Sequence, residues 1–155
     1  MEIINIDQVQ IVGQVILAII LGAVVGIERE YADKPAGLRT HMLVAGSAAL
    51  FVALSTIAVE QFEASLGNRI IRADPIRVME AVITGISFLG AGTILRRSAK
   101  HQVEGLTTAA SILAAAGVGI AVALSQLMLA VVVTFLTLLT LRGVPLLEKG
   151  LSRDD

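Results

Sequence analysis

Five apolar stretches fill most of this chain, and its longest charged stretches lie between them. They run over residues 9–27, 42–59, 76–95, 106–124 and 127–141. The first four are 18 to 20 residues long, about what a helix rising ~1.5 Å per residue needs to cross ~30 Å of hydrocarbon. The fifth is a 15-residue run of apolar residues and Thr. Lipid offers no partners to backbone N–H and C=O groups, so segments of this kind must be helices. The expected fold is an all-α polytopic membrane protein with about five transmembrane helices. It forms a single membrane domain over 1–155, without a separate soluble domain.

Composition removes several function classes. The formal charge is −1, so no general attraction to nucleic acid is expected, and the lipid bilayer is the first expected partner. The absence of cysteine rules out disulfides, thiolate metal sites and Cys nucleophiles. The two histidines, His41 and His101, lack metal-ligand spacing. Neither a Ser-His-Asp set nor a phosphate-binding Gly-Lys-Ser/Thr loop is present, so no enzyme is expected. The first eight residues carry no Lys or Arg, so the first stretch reads as a retained helix, not a cleaved signal.

Basic residues fix the expected orientation. Segments 28–41, 96–105 and the tail hold three each, against Arg69, Arg72 and Arg77 on the other side. The positive-inside rule then places the N-terminus outside and the C-terminus in the cytoplasm. In the 60–75 segment, Phe62, Leu66 and Ile70 recur at i, i+4, i+8, the pattern of either a short surface helix or a solvated loop.

Shifted by 68 positions, residues 21–48 match 89–116 at eight places, including Gly22 with Gly90, Arg29 with Arg97, Gly37 with Gly105 and Thr40 with Thr108. Helices 1–2 and 3–4 therefore read as a parallel internal repeat. Their charged connections would share the cytoplasmic face. Small residues mark the expected packing seams: Gly22 and Gly26 on helix 1, Gly85, Gly90 and Gly92 on helix 3, Ala115 and Gly119 on helix 4. In lipid such residues let helix backbones approach, within one chain or in a homo-oligomer.

The densest polar cluster is Glu28, Arg29, Glu30, Asp33, Lys34, Arg39, Thr40 and His41, interrupted by Pro35 and Gly37. Three readings stand side by side. Glu28, Glu30 and Asp33 are hard oxygen ligands that suit Mg²⁺, in a chain for which no other cofactor is expected. Arg39 and the N–H groups opening helix 2 suit a phosphate. In the structural reading, Glu28 or Glu30 pairs with Arg39 or Arg97 and anchors the hairpin. Thr107 and Thr108 are expected to cap helix 4. Within the membrane, Glu80, Thr84 and Ser87 share one face of helix 3, and an ionisable residue there is a functional candidate. Gln10 and Gln14 are candidate partners for Glu80.

Four segments carry a resemblance. Gly22 to Glu30 (GAVVGIERE), Lys34 to Met42 (KPAGLRTHM), Thr84 to Ile94 (TGISFLGAGTI) and Gly105 to Ser111 (GLTTAAS) resemble the MgtC/SapB family of bacterial membrane proteins. The resemblance implies an inner-membrane protein tied to growth at low magnesium. It also implies regulation of a membrane partner, the ATP synthase, ahead of Mg²⁺ transport. Many members carry a soluble domain after the last helix, and this chain reads as the short form. Two rivals remain from the residues themselves: a cation transporter using Glu28, Glu30, Asp33 and Glu80, and a structural oligomeric membrane component.

Overall fold

A computed structural model describes residues 6–66, 75–97 and 102–151. Five helices follow in order: α1 (Ile6–Tyr31), α2 (Leu38–Leu66), α3 (Pro75–Ala91), α4 (Leu106–Ala123) and α5 (Leu127–Leu151). Strands β1 (Leu95–Arg97) and β2 (Gln102–Glu104) separate α3 from α4. They pair antiparallel, with Leu95 opposite Glu104 and Arg97 opposite Gln102. The all-α expectation holds, with this one small hairpin added.

Among the described residues, three helices are long and apolar enough to cross a membrane: Asp7–Tyr31, Leu38–Gln61 and Leu106–Ala123. The apolar part of α5, Leu127–Gly143, is shorter. Helix α3 has 17 residues and carries Arg77 and Glu80. It stops short of the expected position 95 because Gly90-Ala-Gly92 gives way to a turn. There Thr93 bonds back to the Gly90 carbonyl through both its backbone N–H and, at 2.7 Å, its hydroxyl. The first part of the 60–75 segment continues α2, which runs to Leu66; residues 67–74 lie outside the described residues. Arg69, Ile70, Arg72, Asp74, Lys100, His101 and Arg153 lie outside the described residues.

The core lies where α1, α2 and α4 meet. Ala18, Ala45, Ala48, Ala49, Ala115, Ala116 and Gly119 line it, with Val25, Ile112 and Val122 filling the gaps. Small side chains allow helix axes to close, and dispersion between closely fitted backbones then holds helices together without a hydrophobic drive. The closest approach is Gly119 against the backbone carbonyl of Ala45, where a Cβ would have no room. Gly22 faces the His41 carbonyl and Gly26 faces Leu38 Cα, at 2.5 and 2.7 Å from where a Cβ would sit. Gly90 lies against Ala109, the same pair of positions as Gly22 and His41 displaced by 68. Gly85 and Gly117, by contrast, face open space.

Candidate functional site

The polar cluster sits at one end of the bundle, where α1 ends and α2 and α4 begin. Glu28 and Arg29 occupy the last turns of α1 and are buried, at 6% and 3% exposure. They close on each other: Arg29 Nε donates to Glu28 Oε2, and Nη2 donates to Oε1 at 2.8 Å. A two-toothed guanidinium–carboxylate pair satisfies both charges at once, the condition under which ions tolerate burial. Glu28 pairs with its neighbour Arg29 and not with the expected Arg39; the Arg97 side chain lies outside what the structure describes. Arg39 is exposed on α2, and Arg97 ends strand β1. Adjacent residues inside one helix turn meet without ordering a second loop.

Glu30 has a different task. Its Oε2 accepts the Leu38 backbone N–H at 2.9 Å. Leu38 opens α2, so a carboxylate from α1 satisfies one of the orphan donors there and lies at the positive end of the α2 dipole. A Cβ at Gly37 would overlap Glu30 Oε2, so a side chain there would make the Glu30 carboxylate swing away from this bond. Between them, Asp33 adopts φ 52° and closes the turn, with the Lys34 N–H bonded to the Arg29 carbonyl at 3.0 Å. The Asp33, Lys34 and Arg39 residues are exposed, and Tyr31 is 84% exposed.

His41 is fully buried one turn into α2. Its Nδ1 lies 2.9 Å from the Gly37 carbonyl, and its Nε2 lies 3.0 Å from Ser111 Oγ on α4. Ser111 Oγ in turn donates to the Thr108 carbonyl at 2.9 Å. This relay ties α2 to α4 across the core. Ser111 closes one of the four family-like segments, yet its role was not singled out in the sequence. The available signal was its i+3 spacing from Thr108, which puts both on one buried face of α4. Thr40 is half-buried beside His41.

Thr107 and Thr108 do not cap α4. The cap position is Gly105, at φ 95° and ψ −5°, with no side-chain bond. A capping hydroxyl must come from the residue just outside the helix, and both threonines lie within it. Thr107 is exposed and lines a groove of about 310 Å³ between α4 and α5, whereas Thr108 is buried.

Glu80, Thr84 and Ser87 are all exposed on α3. Gln14 does not bond Glu80. Its Nε2 donates to the Ala123 carbonyl and Ser125 Oγ, both at 3.3 Å, at the opposite end of the bundle. Thr134, Thr137 and Thr140 bond back to their own helix, as expected of hydroxyls in an apolar segment.

Ser111→Ala removes the only side-chain partner that His41 Nε2 has among the described residues. Unfolding in detergent should show a loss of roughly 1–2 kcal/mol. An equal loss from Thr140→Ala, which bonds only within α5, would remove the special standing of the relay.

A model of the MgtC family matches residues 15–150. An uncharacterized Haemophilus influenzae protein is 39% identical over 149 residues, covering 96% of this chain and 61% of the relative. Protein SapB of Bacillus subtilis is 40% identical over 105 residues, covering 68% of the chain and 44% of SapB. Protein MgtC of Salmonella typhimurium is 37% identical over 121 residues, covering 78% and 46%. The chain thus spans roughly half the length of these curated relatives. No solved structure matches it.

Proposed function

Because this chain belongs to the MgtC family, we propose that it regulates bacterial adaptation to low magnesium by contact with a membrane protein partner. The ATP synthase is the partner that the family resemblance implies. In this reading the chain sits in the inner membrane with its N-terminus outside and its C-terminus in the cytoplasm. The Glu28–His41 end then faces the cytoplasm.

The observation that carries this reading is the closed state of the acidic residues. Mg²⁺ is held by one or two free carboxylates and keeps its waters. Glu28 is buried against Arg29, and Glu30 is engaged by the Leu38 N–H. Glu80, the other carboxylate an ion route would use, lies on the outward face of α3, not between helices. What the junction offers instead is an exposed rim of Tyr31, Asp33, Lys34 and Arg39 close in sequence to the buried Glu28–Arg29 pair. Polar groups at an interface of this kind set orientation and partner choice.

The test is co-purification of the tagged chain from mild detergent at low and high Mg²⁺. A membrane partner should be recovered. The double charge reversal Lys34→Glu and Arg39→Glu should lower that recovery at least tenfold without changing unfolding. Recovery of the chain alone in both conditions would overturn the reading.

A further inference from the structure

Helix α3 carries a face that the bundle leaves uncovered. Arg77, Glu80, Thr84, Ser87 and Ala91 are all exposed. Their spacing is 3, 4, 3, 4, the a and d positions of a heptad, so they form one straight seam along the helix. The seam contains both charges of α3. Among the described residues, neither Arg77 nor Glu80 has a side-chain hydrogen bond or ion pair. The Thr84 hydroxyl turns back to the Glu80 carbonyl at 2.7 Å.

A lone helix with this seam is poorly suited to lipid. Glu80 stands five residues into α3, about 7.5 Å from its start, and an ionisable side chain at that depth is costly unless paired. Nor is α3 among the helices long and apolar enough to cross a membrane by themselves.

We propose that the Arg77–Ala91 seam of α3 is a homodimer interface, packing against the same seam of a second copy. Two copies inserted in the same sense are related by a two-fold axis along the membrane normal, and such an interface brings like residues together. Heptad packing then sets Thr84 against Thr84 of the other copy. Arg77 and Glu80 are one turn apart, so each Arg77 reaches the opposite Glu80, giving two reciprocal ion pairs. Charge complementarity between the copies rests on these diagonal Arg77–Glu80 contacts, because residues at the same level are alike.

The chain has no cysteine, so a single introduced thiol reports directly. The experiment oxidises full-length Thr84→Cys in native membranes, with Phe135→Cys on the outer face of α5 as the collision control. Like residues at a heptad core position lie within disulfide reach. Thr84→Cys should become mostly disulfide-linked dimer, at least tenfold above Phe135→Cys. Adding either Glu80→Arg or Arg77→Glu should cut the yield at least fivefold, and combining the two reversals should restore it. Cross-linking no better than Phe135→Cys would overturn the proposal. So would yields indifferent to charge reversal, or adducts of Thr84→Cys with another protein in place of the dimer.

Discussion

Arg29→Ala should destabilise the protein by about 3–5 kcal/mol, the largest loss expected from any side-chain truncation in this chain. The reason is what it leaves behind. Glu28 is 6% exposed, and both of its carboxylate oxygens are held by the Arg29 guanidinium. Without that partner the carboxylate must stay charged in an apolar site, take up a proton, or pull the end of α1 away from α2 to reach water. Each course costs free energy that the intact pair avoids. Glu28→Gln strands the guanidinium in the same way. The double variant Glu28→Gln and Arg29→Met leaves no buried charge, and should be more stable than either single variant. Arg39→Ala, on an exposed neighbouring position, should change little. Denaturant unfolding in micelles, followed by loss of helical signal, reads all four. A near-zero effect of Arg29→Ala would mean that the pair is not held in the buried geometry described.

Gly119→Ala is the second large effect. Its new methyl would occupy the space of the Ala45 backbone carbonyl, and a backbone cannot turn aside as a long side chain can. Helices α2 and α4 must therefore separate, which loosens the contacts of Ala48, Ala49, Ala115 and Ala116 together. Overpacking of this kind costs roughly 1–3 kcal/mol. Gly117→Ala is the matched control two residues away. It places the same methyl on the same helix, where nothing lies within 4 Å, so it should be neutral or slightly stabilising. Equal effects of the two substitutions would show that the α2–α4 approach is not as close as Gly119 requires.

Helix number was legible because apolar runs of membrane length admit one backbone solution. The seams of Gly22, Gly26, Ala115 and Gly119 were legible for the same reason: in lipid, small residues at helical spacing have few other uses. The end of α3 was not. Residues 92–95 read as a continued apolar run, while Gly90, Gly92 and the Thr93 hydroxyl settle the local backbone in favour of a turn and hairpin. Within the polar cluster, residue types announced a site, but pairing was hidden. Three acids and several bases in 14 positions allow many partners, and only the fold reveals that Glu28 chooses its immediate neighbour while Glu30 reaches across to Leu38. The His41–Ser111 bond spans 70 residues, so no local pattern marks it. For Glu80, Thr84 and Ser87 the shared face was correctly read from spacing. Which way that face points depends on how α3 leans on α2 and α4.

In the proposed reading, the acidic residues at the junction of α1 and α2 hold the bundle closed and do not conduct an ion. The direct measurement is Mg²⁺ entry into liposomes containing the purified chain, read with an indicator trapped inside. Entry should match protein-free liposomes and be the same for Glu28→Gln and Glu80→Gln. Rapid entry that either substitution abolishes would contradict the account.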